Sequence, residues 1–419
     1  MGKLLRVILV LVIGLPLLLA VLVFFALDPT PMVASKVTFT PDNIERAKRL
    51  MDRNDPRKMR AGVLRTITVV QDDLDLALNY AANRYAHGST HIVLQDGRAM
   101  LRATFELPAN PFGRFANLDM VLVQTQYLPR VEQLRIGSVP VPAFICNWLL
   151  RAGIQRLKSD ADYSATVDVV KQVRASNGVL QLVFEWNDTA ASQLKSALVP
   201  ADDQVRWQVY QARLVELTAQ QSGARGFSLD QLLRPMLQLA RQRGTGANAT
   251  AENRAVIVVL AFYVNGEGLG VLVPAARAWP MPAQRVVTLA GRTDSPQHFM
   301  VSAALAATAG SPLSDAVGVY KELDDSRNSS GFSFNDLGAD RAGTRFGEMA
   351  AASETGVAKL YRQLERGLRE PDFFPDIADL PEYMTEAEFK RRYGGVGQPA
   401  YQKMLADIER RIATLPLYR

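Results

Sequence analysis

The chain has a single cysteine, Cys146, so no intrachain disulfide can brace it. Cys146 lies between Ile145 and Asn147 in an apolar run, where a cysteine behaves as a small buried hydrophobe. Histidine is nearly as scarce: His87, His91 and His298 are all there are. His87 and His91 are four apart, but Gly88 intervenes and His91 opens a strand pattern, so they share no helical face and are expected at the surface. The chain carries no P-loop, dinucleotide fingerprint, zinc-protease motif or internal repeat. No cofactor is indicated. Nor is charge of one sign gathered anywhere: 48 Lys and Arg are interspersed with 42 Asp and Glu, for a net +6. With no basic stripe, zinc finger or RNA-binding signature, no nucleic-acid partner is expected. The mild positive excess suits a solvated face or a neighbouring anionic lipid surface.

Long apolar runs are few, and the first decides the expected location. Lys3 and Arg6 precede an uncharged apolar run over residues 7–27. That length spans a hydrocarbon core of about 30 Å. Asp28-Pro29-Thr30-Pro31 follows in place of a small-residue cleavage site, so an uncleaved anchor is expected rather than a cleaved signal. The basic flank puts residues 1–6 in the cytoplasm and the bulk outside, which in a Gram-negative bacterium is the periplasm. The membrane is therefore the first expected partner. A second apolar run, 255–276, is broken by Asn265-Gly266-Glu267-Gly268, with Glu267 at a turn. A glutamate inside a lone span is costly, which favours a buried core helix or helix-turn-helix over a membrane-embedded segment.

The expected fold class is α+β: one transmembrane helix (7–27), a Pro-rich linker (28–37), an antiparallel-sheet α+β domain (38–190), a mostly helical domain (191–369) and a helical tail (370–419). Thr40 caps a helix that begins at Pro41. A second helix is expected over 71–85. His91–Gln95 and Ala99–Leu107 alternate about an Asp96-Gly97 turn, the strongest hairpin signal in the chain. Strands follow at 118–126 and 131–136, an amphipathic helix at 143–157, and a second hairpin at 166–173 and 180–186 about Asn177-Gly178. Trp148 and Trp186 are expected as core or interfacial anchors. Beyond 189 the pattern is helical, with a break at 222–226 and a Gly, Thr and Asn loop at 243–253 as a further candidate boundary. In the tail, Thr385 and Glu388 fit a capping box, and Tyr401, Met404, Leu405, Ile408 and Ile412 make one helical stripe, suited to core packing or to docking an envelope partner.

The candidate chemistry lies between 292 and 348. His298 and Ser302 fall one turn apart on a helix. Gly318, Glu322 and Asp325 share a face of the next. Ser333 can cap a third, on which Asp336, Asp340, Gly343 and Gly347 line one side. Three short helices then gather His298, Glu322, Asp325, Asp336 and Asp340. Four carboxylates cannot all stay ionised and dry without a cation, Lys321, Arg327, Arg292 or a shared proton. The set fits a polar network that fixes helix packing, acid–base chemistry with His298 as the proton carrier, or a divalent metal held by His298, Glu322, Asp336 and Asp340.

The residues Gln297-His298-Phe299, Ser302, Lys321-Glu322-Leu323, Asp325-Ser326-Arg327, Gly331, Ser333, Asp336-Leu337, Asp340 and Ala342-Gly343 carry a pattern that resembles the YfiM-like family of bacterial envelope lipoproteins. More distantly, the order of His, Glu, Asp and a Gly-rich helix is similar to the VanZ-like membrane family. The YfiM-like resemblance covers about 294–347 and implies envelope location. The chain departs from it by having no lipobox cysteine and by carrying the segment within a larger, anchored protein. Residues 70–190, with the hairpin ending at Leu107 and the run Leu134–Pro142 before a helix, resemble the YpmS-like anchored extracytoplasmic family, which implies one N-terminal span and a lipid-binding fold. Together these readings lead to a membrane-anchored envelope protein that binds a lipid or another envelope component. An envelope hydrolase or transferase built on the polar cluster, and a scaffold for envelope partners, are the alternatives.

Overall fold

A computed structural model describes residues 15–35, 37–53, 62–159, 169–185, 199–220, 226–244, 246, 248–310, 313–314, 317–318, 321, 325 and 331–419. Two compact units divide the chain. The first takes residues 1–38 and 51–194, the second residues 39–50 and 195–419.

The first unit is built on antiparallel strands. It opens with the apolar helix α1 (Leu15–Ala26) and a two-residue strand β1 (Leu27–Asp28). Strand β2 (Leu64–Val70) runs directly into helix α3 (Gln71–Ala86). The Asp96-Gly97 turn closes the hairpin β3 (Gly88–Gln95) and β4 (Arg98–Glu106) in the expected register, with Gln95 opposite Arg98. Gly97 has φ +71°, which a glycine adopts without strain. Strands β5 (Phe115–Val123), β6 (Arg130–Ile136) and β7 (Val139–Val141) continue the meander, and β1 pairs with β5. Helix α4 (Ala143–Ser159) follows. The second hairpin, β8 (Val170–Ser176) and β9 (Val179–Glu185), turns at Asn177-Gly178. It does not extend the first sheet: β2 pairs with β9 to make a separate three-stranded sheet, β2–β9–β8. Alternating Leu64-Arg65-Thr66-Ile67-Thr68-Val69-Val70 is a strand that the sequence reading passed over. Its partner lies more than a hundred residues away.

The stretch expected as a linker is tied to the sheet. Leu27 and Asp28 pair with Ala116 and Phe115. The Asn117 side-chain amide donates to the Asp28 carboxylate and to the Thr30 carbonyl at 2.8 and 3.0 Å. Met32 N–H donates to Asn117 Oδ1 at 2.9 Å, and Val33 N–H to Thr104 Oγ1 at 2.9 Å. At the other end of β1, Ser138 N–H donates to the Phe25 carbonyl at 2.8 Å. Residues 25–33 are thus a strap across the sheet rather than a free spacer.

The second unit is helical, around one apolar core. Helix α2 (Pro41–Arg53) starts at the expected cap, with Thr40 and Asn43 exchanging backbone-to-side-chain bonds. Its residues up to Leu50 belong to this unit rather than to the α+β one. Helices α5 (Ala201–Gln220), α6 (Leu229–Arg243) and α7 (Asn248–Val264) follow, with the short strand β10 (Phe227–Ser228) before α6. The apolar run at 255–276 resolves as a core helix: Val256, Ile257 and Leu260 are fully buried, α7 stops at Val264, and Gly266 turns the chain at φ +71°. Among the described residues no helix is long and apolar enough to cross a membrane. Most of the stretch expected as a loop at 243–253 is helix instead: Arg243 ends α6 and Asn248–Asn253 open α7, both in the second unit, so it marks no boundary between the units.

Strand β11 (Val287–Thr288) pairs with β10, and helices α8 (Ser295–Ala309), α9 (Phe334–Ala352), α10 (Glu354–Glu365), α11 (Glu370–Phe373), α12 (Glu386–Tyr393) and α13 (Pro399–Ala413) complete the unit. The tail stripe is core: Tyr401, Ile408 and Ile412 are buried, and Met404 and Leu405 pack against them. Phe389 of α12 stacks on Phe332 at 4.0 Å, and Tyr393 meets Phe334 edge-on at 4.7 Å. Such aromatic contacts add to simple area burial. A docking role for this stripe would expose the same side chains that hold the tail down.

Candidate functional site

The site forms where α8 and α9 cross, and two glycines make the crossing close. A Cβ on Gly343 would lie 2.1 Å from the Phe299 carbonyl oxygen, and one on Gly347 would lie 2.1 Å from that of Ala303. Any larger residue would force the helices apart. Asp294 caps α8, its carboxylate accepting from Ser295 N–H at 2.7 Å, and Arg292 grips the same carboxylate. Ser333 caps α9, its hydroxyl accepting from Asp336 N–H at 3.0 Å as expected. The i, i+4 pair His298 and Ser302 therefore faces the i, i+4 pair Asp336 and Asp340.

The contacts centre on Asp340. His298 Nδ1 lies 3.2 Å from Asp340 Oδ1, and Ser302 Oγ donates to that oxygen at 2.9 Å. His298 Nε2 lies 3.6 Å from Asp336 Oδ2 and 3.4 Å from Lys321 Nζ. The His298 and Asp340 side chains are only 8% and 7% exposed. Gly318 leaves room for the carboxylate, since a Cβ there would sit 3.0 Å from Asp340 Oδ2. Ser314 Oγ donates to the Ser302 carbonyl at 2.9 Å and shares a hydrogen bond with Thr344. Asp340 Oδ2 and Asp336 Oδ1 are buried with no hydrogen-bond partner among the described residues.

Burial alone would lower the basicity of His298, but the hydrogen bond and charge of Asp340, with Asp336 behind it, outweigh that and raise its pKa to about 9. Burial pushes the Asp336 carboxyl up, against the pull of His298. Asp294 is held down by its bond to Arg292. Near neutral pH His298 is therefore an imidazolium, with the Asp340 and Asp336 side chains on either side of the ring. It can donate a proton or carry a fixed positive charge. It is poorly suited to removing a proton from a nucleophile. Ser302 donates to Asp340 and not to the imidazole, so among the described residues Ser302 and His298 make no Ser–His pair of the acyl-transfer kind.

Of the five candidate residues, the structure brings together His298, Asp336 and Asp340. Asp325 stands behind Lys321, which donates to it at 2.9 Å. Glu322 lies outside the described residues. Among the described residues, no three His, Cys, Asp or Glu side chains are placed to hold a metal ion. The other singled-out residues divide. Cys146 is buried. His91 is half-exposed, with Nδ1 3.3 Å from Asp75. His87 closes α3 at φ +48°. Trp186 lies outside the described residues, and Trp148 is exposed.

Sequence reasoning missed a second buried charge. Glu252, in the otherwise apolar α7, accepts from Tyr210 Oη at 2.5 Å and Arg243 Nε at 3.0 Å, with Arg206 Nε at 3.3 Å. Burial and the Glu252 bond push the Tyr210 phenol well above its ordinary range. A lone acid in an apolar helix was the available signal. Its partners, from α5 and α6, were not readable from spacing.

The chain matches no family model, no curated protein and no solved structure. The YfiM-like, VanZ-like and YpmS-like resemblances thus rest on the residues that carry them.

Proposed function

We propose that this chain is a bacterial envelope protein, held in the inner membrane by residues 7–27 with its bulk in the periplasm, that binds a lipid or another envelope component. One observation carries the reading. Helix α1 has no charged residue, Val21, Leu22, Val23, Phe24 and Phe25 stand exposed, and the chain just beyond is strapped to the sheet of the first unit. Exposed apolar residues in such a row are costly in water and fit a hydrocarbon environment. The strap would carry the sheet with the anchor, which suits a protein working at the membrane surface. One pocket of the first unit, beside Asp96, Gly97, Arg98 and Gln124, is open and largely polar.

An envelope hydrolase or transferase is the second reading. The oxygens of Asp336 and Asp340 that have no partner among the described residues favour it, since a substrate donor would satisfy them. Native mass spectrometry of the full chain released from detergent tests the first reading. It should retain envelope phospholipid. A chain that emerges bare under conditions that preserve its fold counts against it.

A further inference from the structure

We propose that the outward face of α4 is a second membrane contact, docking on the headgroup layer of an anionic bilayer beside the anchor. The proposal rests on the anchor reading above and adds a site that the anchor does not require. On the inward side of α4, Cys146 is buried and Asn147 bonds to the backbone of Val131 in β6, donating to its carbonyl at 2.8 Å and accepting from its N–H at 3.0 Å. Those bonds fix the roll of the helix. The opposite side of its first two turns is then apolar and uncovered: Phe144 is 74% exposed, Trp148 66% and Leu149 56%. A helix that packs one face normally leaves polar residues on the other. This one reverses the rule over two turns.

Three observations select a bilayer as the occupant. Residues 143–159 contain Arg151, Arg156 and Lys158 and no Asp or Glu, and all three cations are exposed. An apolar start with aromatic residues and a basic end is the composition of a helix lying in a lipid interface. Juxtamembrane cations are drawn to anionic headgroups. Finally, the end of the anchor touches the turn that leads toward α4. Ser138 N–H holds the Phe25 carbonyl at 2.8 Å, and a Cβ on Gly137 would strike the Phe25 and Ala26 carbonyl oxygens at 2.8 Å, so the last turn of α1 touches the β6–β7 turn just before α4. A chain anchored through α1 brings this turn to the membrane surface. The apolar turns of α4 follow this turn in sequence directly after β7.

The test uses the full chain with Cys146→Ser and a single new cysteine, either Leu149→Cys on α4 or Leu22→Cys in α1. Each is labelled with an environment-sensitive fluorophore and reconstituted in phosphatidylethanolamine vesicles with or without phosphatidylglycerol. The expected result is a blue shift at both positions. The Leu22 probe should be quenched by nitroxides deep in the acyl chains and the Leu149 probe by nitroxides near the headgroups, with the Leu149 response larger when phosphatidylglycerol is present. Quenching at Leu22 with a water-exposed Leu149 probe overturns the α4 proposal and leaves the anchor standing. A Leu149 probe that is shifted but unquenched by any lipid nitroxide also overturns it, because protein would then cover the face. Loss of lipid quenching at both positions overturns the anchor reading and this one with it.

Discussion

His298→Gln, read against pH, is the perturbation that separates a packing network from a proton-transfer site. The imidazole titrates near 6.5 in an unfolded chain and at about 9 here. A raised folded pKa means the folded state binds the proton more tightly. The stabilisation is therefore full below pH 6.5, declines as pH rises, and is lost above about 9. A difference of about 2.5 units is worth about 3 kcal/mol. That agrees with the ~3–5 kcal/mol typical of breaking a buried ion pair by removing one partner. The assay is urea unfolding of the full chain in detergent, with Trp148→Phe and Trp186→Phe so that fluorescence comes from Trp207 and Trp279 of the second unit. The wild-type advantage over His298→Gln should be about 3 kcal/mol at pH 6 and near zero at pH 9.5. An advantage that is flat with pH, or that grows toward pH 9.5, would refute the imidazolium assignment. A variant as stable as wild type at pH 6 but inactive would favour the hydrolase or transferase reading.

Gly343→Ala should cost about 3 kcal/mol, because its Cβ would fall on the Phe299 carbonyl; at this unit's size a calorimeter would show a melting temperature lower by about 6–12 °C. Glu252→Gln should destabilise the second unit by about 3 kcal/mol, since Arg206 and Arg243 would lose the charge that faces them; equal denaturation midpoints would mean the ion cluster is energetically idle. Asn117→Ala removes four hydrogen bonds from the strap and the sheet. It should speed proteolysis between residues 28 and 33, and an unchanged cleavage rate would show that the β1 pairing holds the strap by itself.

What could be read from the sequence was mostly local. The Asp96-Gly97 hairpin, the Thr40 and Ser333 caps and the helix expected at 143–157, observed over Ala143–Ser159, follow from turn chemistry and periodicity within a few residues. The facing of His298 and Ser302 toward Asp336 and Asp340 was legible for the same reason, because helical spacing alone sets both pairs and the glycines on α9 mark the crossing. Non-local choices were not legible. Nothing near Leu64–Val70 shows that its partner is β9, or that the second hairpin leaves the first sheet. The role of 27–33 depends on Asn117, over eighty residues on. Asp325 was expected in the cluster from a shared helical face, but its carboxylate meets Lys321, which takes the place nearer His298. Spacing fixes which residues share a face; only packing fixes what the face meets.

The most direct test of the membrane account expresses the chain in a Gram-negative host with alkaline phosphatase fused after Arg419, with and without residues 7–27, and measures enzyme activity and resistance to carbonate extraction. The account predicts an active fusion that stays in the carbonate-washed membrane and is lost from it when residues 7–27 are removed. An inactive fusion, or one that carbonate strips from the membrane, would contradict it.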